Sequence, residues 1–179
     1  MKKIISILIT AMLLASGCTK GKNTDVKTGF IPVKVGNQAN DFLYNDINEK
    51  PFMLSQQRGK VVILYFWTLK CRECTEEMDS LDALNRKYKD KGLVVFAVAA
   101  ETNQTAPMYE INTLLQKKSI SFRVMRDDDG FASEAFEVLK APEAFIINKK
   151  GVIVSIVDGK TDWMSAENIK TIQSLLAEN

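Results

Sequence analysis

The strongest pattern in the chain is a continuous apolar run, Val61–Trp67. Its β-branched and aromatic side chains show no polar alternation, which is typical of a strand buried on both faces of a sheet. From Cys71 to about Tyr88, apolar residues recur at helical spacing with charged residues between them, and this predicts an amphipathic helix. A second apolar run, Leu93–Ala100, comes directly after Gly92. Together these segments predict a strand–helix–strand unit with parallel strands.

Shorter elements surround this unit. The pattern predicts a helix at Thr105–Lys118 with Pro107 in its first turn, a strand at Ser121–Met125, a helix at Phe131–Leu139, a hairpin of strands Ala144–Ile147 and Val152–Val157, and a helix at Ser165–Ala177. Two short apolar pieces between Asp41 and Leu54 predict an added N-terminal β-hairpin. This order of elements predicts an α/β fold with a mixed central sheet flanked by helices.

Two further features are interpreted as structural. The acidic run Asp127–Asp129 before Gly130 predicts a solvated turn in preference to a calcium site. Trp163 is predicted to pack near the last helix.

The amino terminus has the pattern of a secretion signal. Lys2 and Lys3 precede the apolar run Ile4–Leu14, which is shorter than the about 20 residues that a membrane-spanning helix needs. A cleaved signal is therefore predicted. The sequence Ala15–Cys18 resembles the lipobox of bacterial lipoproteins, in which the cysteine thiol carries the lipid and becomes the first residue. An ordinary secretion signal followed by an unrelated cysteine is the alternative.

This interpretation divides the chain into three parts. Residues 1–17 form a lipoprotein signal peptide, residues 18–35 a lipid-anchored flexible tether, and residues 36–179 a single domain of average size. The protein is expected outside the cytoplasm, attached through Cys18 to the cell membrane or to the outer membrane.

Composition excludes several classes of function. The net charge is +2, and the charged residues are interspersed without a basic stripe, so nucleic acid is not an expected partner. The chain has no histidine and only three cysteines, whereas a structural zinc site takes four Cys or His ligands. We therefore expect no metal and no cofactor, and a chain that acts as a monomer.

The chemistry is expected at Cys71 and Cys74, which form a C-x-x-C pair where the apolar strand meets the following helix. Unpaired backbone N–H groups and the helix dipole stabilise a thiolate at a helix start. Cys71 would therefore attack a disulfide, and Cys74, deeper on the same face, would resolve the mixed disulfide. A structural disulfide is the alternative, although so short a loop stabilises little.

The segment Phe66–Met78 resembles the active-site stretch of the TlpA/ResA-like thioredoxin family, which typically reads F-W-A-T-W-C-x-P-C-x-x-E-M-P. The resemblance extends along the domain through these further matches: Asp41-Phe42, Leu54-Ser55, Gly59–Val62, Ala141–Asn148 and Gly151–Val154. It implies a thioredoxin-like fold and a thiol-disulfide oxidoreductase of the protein-disulfide reductase type.

The resemblance also implies roles for residues around the cysteines. Pro142 matches the family's cis-proline, which with Ala141, Lys70 and Trp67 would form the substrate-binding surface. Glu77 matches a glutamate that exchanges a proton with a cysteine. The implied partners are protein thiol or disulfide substrates, with apocytochrome c as one candidate, and a membrane electron donor of the DsbD/CcdA kind.

The sequence departs from the family pattern at several positions. Lys70 replaces a tryptophan and places a positive charge beside Cys71, Arg72-Glu73 lacks a proline, Asp79 replaces another proline, and Tyr65 stands where thioredoxin has a buried aspartate. These changes leave substrate identity and redox potential open.

Two alternative functions therefore remain. One is a non-enzymatic module that binds a partner along the Pro142 face. The other is a peroxiredoxin-like thiol peroxidase, suggested by Thr68 three residues before Cys71. Peroxiredoxins place a proline four residues before that threonine, where this chain has Leu64.

Overall fold

A computed structural model describes residues 29–102 and 104–178. The predicted signal peptide, Cys18 and the first part of the predicted tether lie outside the described residues. Within the described ranges, no helix is both long enough and apolar enough to cross a membrane.

The fold is a five-stranded mixed sheet with helices on both faces and a separate two-stranded hairpin. In chain order the elements are β1 (Leu43–Asn45), β2 (Pro51–Met53), β3 (Val61–Trp67), α1 (Arg72–Tyr88), β4 (Leu93–Ala99), α2 (Met108–Lys117), β5 (Arg123–Arg126), α3 (Phe131–Ala135), β6 (Glu143–Ile147), β7 (Ile153–Asp158) and α4 (Ala166–Ala177). Strands β1 and β2 form the hairpin, and the main sheet has the order β5-β4-β3-β6-β7. The predicted mixed sheet and N-terminal hairpin are confirmed.

Strand β3 lies at the centre of the sheet because its side chains are apolar on both faces. It pairs in parallel with β4 and antiparallel with β6. Its odd-numbered residues face the core beneath α1, α2 and α4, and its even-numbered residues face the core beneath α3 and the hairpin. All seven residues of β3 are buried, so the strand fixes the position of the loop that follows it.

Helix α1 leads directly from this loop. Its apolar stripe packs under the sheet, including Cys74, Met78 and Leu81. The helix runs to Tyr88, and a short turn then ends at Gly92, whose φ of 100° lies in the left-handed region that favours glycine. The sequence pattern therefore located this helix to within a residue of its start.

Two predicted helices are shorter in the structure. Helix α2 begins at Met108 because Pro107 has an extended backbone and occupies the cap position, outside the first turn. Helix α3 ends at Ala135, and Glu137 adopts a φ of 54°. The chain therefore turns away before Leu139, where the pattern had predicted the helix end.

Asp127 corrects the prediction of a solvated acidic turn. This carboxylate is buried and accepts hydrogen bonds from Ala132 N (3.0 Å), Ser133 N (2.8 Å) and Ser133 Oγ (2.6 Å). It satisfies two of the free N–H groups at the start of α3. Asp128 and Asp129 are exposed, as expected.

The predicted tether, residues 18–35, includes residues that pack against the folded domain. Phe30 and Val33 pack against the core, and the Phe30 ring meets Phe131 edge to face at 5.3 Å. The Asn40 side chain also accepts from Ile31 N (2.7 Å) and donates to Ile31 O (2.8 Å). Apolar side chains and this paired amide therefore attach residues 30–33 to the folded domain.

The residues that precede β3 also contact both edges of the main sheet. On one side, Ile47 N donates to Val124 O on β5 (2.8 Å). On the other side, Gly36 N donates to Ile153 O (2.8 Å) and Ile153 N donates to Asn37 O (2.9 Å). The N-terminal residues therefore extend along the sheet at two places far apart in the fold.

Candidate active site

Cys71 and Cys74 form a disulfide at the start of α1, with their Cα atoms 5.2 Å apart. Cys71 is the cap residue of the helix, and its Sγ accepts a hydrogen bond from Cys74 N at 3.0 Å. Cys71 is half-buried, whereas Cys74 is 0% exposed. Of the two residues, Cys71 is therefore the more accessible, and its role as the attacking cysteine stays a prediction.

Pro142 lies where the start of β6 meets the end of β3. The Ala141–Pro142 peptide bond is cis, as the resemblance implied. The register pairs Phe66 with Glu143, so Pro142 lies opposite Trp67, immediately before the loop to Cys71. Pro142 itself is buried and Ala141 is half-buried.

Two predicted substrate-binding residues differ in exposure. Lys70 is exposed next to Cys71, where its charge is available to a partner. Trp67 is fully buried in the core beneath α1. As an odd-numbered residue of β3, it points toward the helix face, and we correct its expected place on the substrate surface accordingly.

Glu77 lies inside the fold, one turn after Cys74. It is 3% exposed, and its Oε2 accepts a hydrogen bond from Thr161 N at 2.8 Å. The buried Tyr65 hydroxyl donates to Cys74 O at 3.1 Å and lies against the same carboxylate. A chain of polar groups therefore leads from the backbone of Cys74 to a buried acid.

Burial changes the acidity of this pair. It raises the pKa of Glu77, while hydrogen bonds from Thr161 N and the Tyr65 side chain oppose the increase. Burial and the nearby Glu77 also raise the pKa of Tyr65, so its hydroxyl remains protonated. Burial therefore favours the protonated form of Glu77, one helical turn from Cys74.

The described residues contain no cluster of three or more His, Cys, Asp or Glu side chains that could hold a metal ion.

The family model described as AhpC/TSA family matches residues 35–156 of the chain. The chain belongs to the AhpC/TSA family. Curated relatives give a finer assignment: the thiol-disulfide oxidoreductase ResA of Geobacillus kaustophilus is 30% identical over 166 residues, which cover 92% of this chain and 91% of the relative. The ResA of Bacillus subtilis is 29% identical over 162 residues, which cover 89% and 88% of the two chains. The resemblance to the TlpA/ResA-like group is confirmed, and this family member is a thiol-disulfide oxidoreductase.

Solved structures of similar proteins agree with the fold of this family member. A putative thiol:disulfide interchange protein DsbE from Chlorobium tepidum has a TM-score of 0.72 and 25% identity, and the match covers 82% of this chain and all (100%) of that one. StoA from Bacillus subtilis has a TM-score of 0.63 at 21% identity, with 75% of this chain and 97% of that chain covered. The thioredoxin-like fold is therefore confirmed.

Sequence patterns did not indicate one further acid near the site of this family member. Glu101 follows β4, is buried, and accepts a hydrogen bond from Leu69 N at 3.0 Å through Oε1. It therefore holds the loop between Trp67 and Cys71. A lone acid after an apolar strand has no periodic signal, and its burial depends on a loop from a different strand.

The burial of Glu77 leads to a prediction for the variant Glu77→Gln. Because the pKa of Glu77 is raised on folding, the folded state binds a proton more tightly and loses stability as pH rises above the ordinary value of 4.5. We expect the free energy of unfolding of Glu77→Gln, minus that of wild type, to increase between about pH 4.5 and pH 7. Urea denaturation of the disulfide form at a series of pH values measures this difference in the free energy of unfolding.

Glu76→Gln is the matched control for this experiment. Lys160 and Arg72 lower the pKa of Glu76 through hydrogen bonds, with Lys160 the larger cause. Its carboxylate contributes stability that is lost as pH falls below about 4.5. The difference for Glu76→Gln should therefore decrease with rising pH in the acid range. A flat difference for Glu77→Gln up to pH 7 would show that its carboxylate titrates as in the unfolded chain.

Proposed function

We propose that the chain is an extracytoplasmic, membrane-anchored enzyme that reduces disulfides in other proteins, acting as a monomer. One observation carries the proposal: the two sulfurs lie at a helix start, with one half-exposed and the other fully buried. A structural disulfide needs no such difference in access. An exchange reaction needs it, because one sulfur meets the substrate and the other must wait for the mixed disulfide.

The reaction starts from the reduced dithiol. The Cys71 thiolate attacks one sulfur of the substrate disulfide, the substrate S–S bond breaks, and the departing sulfur takes a proton. The Cys74 thiolate then attacks Cys71 Sγ and releases the second substrate sulfur, which also takes a proton. Two electrons have moved to the substrate, and the enzyme is left with the Cys71–Cys74 disulfide.

Glu77 serves the second half of this reaction in our proposal. Cys74 must lose its proton before it can attack, and it is buried away from water. A carboxylate one helical turn from Cys74, with its pKa raised by burial, is a stronger proton acceptor than an ordinary carboxylate. The Tyr65 hydroxyl, fixed on Cys74 O, keeps this part of the helix in place.

The donor and the substrate are proposed from the resemblance. A membrane protein of the DsbD/CcdA kind would reduce the Cys71–Cys74 disulfide again, and apocytochrome c is one candidate for the substrate. Lipidation at Cys18 would hold the enzyme on the outer side of the cell membrane, or on the outer membrane, near such partners.

The peroxidase alternative finds no specific support. Leu64 takes the place of the proline expected of peroxiredoxins, and it is buried in the middle of β3, opposite Phe96 and Phe145. The non-enzymatic alternative is not supported by the curated relatives, which are named as oxidoreductases.

One fractionation experiment tests the proposal. Full-length wild type and Cys18→Ala are expressed in a bacterium, and dithiothreitol-driven reduction of insulin disulfides is measured in membrane and soluble fractions. We expect the activity of wild type in the membrane fraction. Cys18→Ala should lose membrane-bound activity, either because the enzyme is released or because its processing fails.

Two results would contradict the proposal separately. If the purified protein reduces no insulin, its substrates are not protein disulfides in general. If fully processed Cys18→Ala stays on the membrane, another segment anchors the enzyme.

A further inference from the structure

A pocket of about 490 Å³ lies beside the active site. Its lining includes Thr68, from the loop that leads to Cys71, and Ala141, from the cis peptide bond. Leu139, which is 97% exposed, belongs to the same lining. A polypeptide bound at Cys71 and Pro142 would therefore pass the pocket within the reach of a side chain.

Glu101 lines this pocket with an unsatisfied carboxylate. The residue is 6% exposed, and while Oε1 accepts from Leu69 N, the buried Oε2 has no hydrogen-bond partner among residues 29–102 and 104–178. A buried carboxylate oxygen without a donor is unfavourable. A donor that enters the pocket would remove this cost.

The other acids of the pocket are already paired. Asp127 binds the start of α3, Asp128 pairs with Arg126, and Asp129 accepts from the Tyr44 hydroxyl.

The described lining has a single basic residue, Lys140, and it pairs with Asp158 at 3.0 Å. Burial raises the pKa of Glu101, while the hydrogen bond from Leu69 N and the charge of Lys70 oppose this increase and Glu110 adds to it. Within the described lining, Glu101 is therefore the acid with a buried carboxylate oxygen that has no hydrogen-bond donor.

We propose that this pocket binds a cationic side chain, arginine or lysine, of the polypeptide whose disulfide is reduced, with Glu101 as its acceptor. The proposal rests on the proposed reduction of protein disulfides and specifies its substrate class. A charged donor gains most where the acceptor is buried and preorganised. Arginine can also use several donors at once.

Matched peptides test this specificity. Each peptide carries a disulfide and one arginine, placed in turn at each position near the reactive cysteine, and has a counterpart with neutral citrulline at the same position. A second pair compares lysine with acetyl-lysine. Reduced full-length protein is mixed with each peptide, and the second-order rate constant is measured by stopped flow.

For wild type we expect the best-placed arginine peptide to react at least about tenfold faster than its citrulline counterpart. Glu101→Gln and Glu101→Ala should bring this ratio close to one. The control Glu110→Gln removes a nearby acid that does not line the pocket, and it should keep the wild-type ratio.

The outcomes separate the two proposals. Reduction of all peptides by wild type with a ratio near one at every position would overturn the cation site alone. A ratio that survives both Glu101 variants would also overturn it. Failure to reduce any peptide would overturn the proposed function and this inference with it.

Discussion

Replacing Cys71 with serine should abolish disulfide reduction, whereas replacing Cys74 with serine should leave an enzyme that reacts once and remains attached to its substrate. A serine hydroxyl at position 71 does not attack a disulfide, and the buried Cys74 cannot reach a substrate in its place. Serine at Cys74 leaves the attacking thiol intact but removes the group that breaks the mixed disulfide. The two variants therefore fail at different steps.

Insulin reduction and non-reducing gel electrophoresis measure these outcomes. Cys71→Ser should show the rate of dithiothreitol alone. Cys74→Ser should show a covalent adduct that disappears when dithiothreitol is added in excess, and mass spectrometry should locate it at Cys71. An adduct on Cys74 in Cys71→Ser would reverse the assignment of attacking and resolving cysteine.

Trp163→Ala should cost about 3–5 kcal/mol of folding free energy. Trp163 is fully buried in the core that underlies the active-site helix, and its backbone N–H donates to Ser80 Oγ on α1 at 3.2 Å. Its ring is large, so the loss leaves a cavity between α1 and the residues that lead to α4. Guanidinium chloride denaturation of the disulfide form measures the change.

Leu139→Ala is the control for this substitution. Leu139 is almost fully exposed, so the change should alter the free energy of unfolding by no more than about 0.5 kcal/mol. A loss below about 1 kcal/mol for Trp163→Ala would mean that the neighbouring side chains collapse into the cavity.

The main elements could be predicted because their signals are local and strong. The run Val61–Trp67 is apolar at every position, and only a central strand buries both faces. Helix α1 carries a regular apolar stripe under the sheet. The short helix α3 is different: its end depends on the left-handed backbone of Glu137, which no periodicity indicates.

The residues of the active site likewise divide into those that the sequence could predict and those that it could not. Cys71 and Cys74 follow from their spacing and from the helix start, and Pro142 and Glu77 from the resemblance. Glu101 could not be predicted, because its burial and its bond to Leu69 arise only when two separate strands are adjacent. Trp67 was misplaced because a family motif does not specify which face of a strand a residue occupies.

The contacts of the N-terminal residues with both sheet edges have a consequence for solubility. An edge strand offers free backbone groups to the strands of other molecules, and this is a common route to aggregation. In this protein both sheet edges are already paired, at Val124 with Ile47 and at Ile153 with Gly36 and Asn37. A second copy cannot pair with the sheet at these positions without first displacing the molecule's own chain. The residues before β3 therefore hinder polymerisation through the sheet, a role separate from the chemistry at its centre.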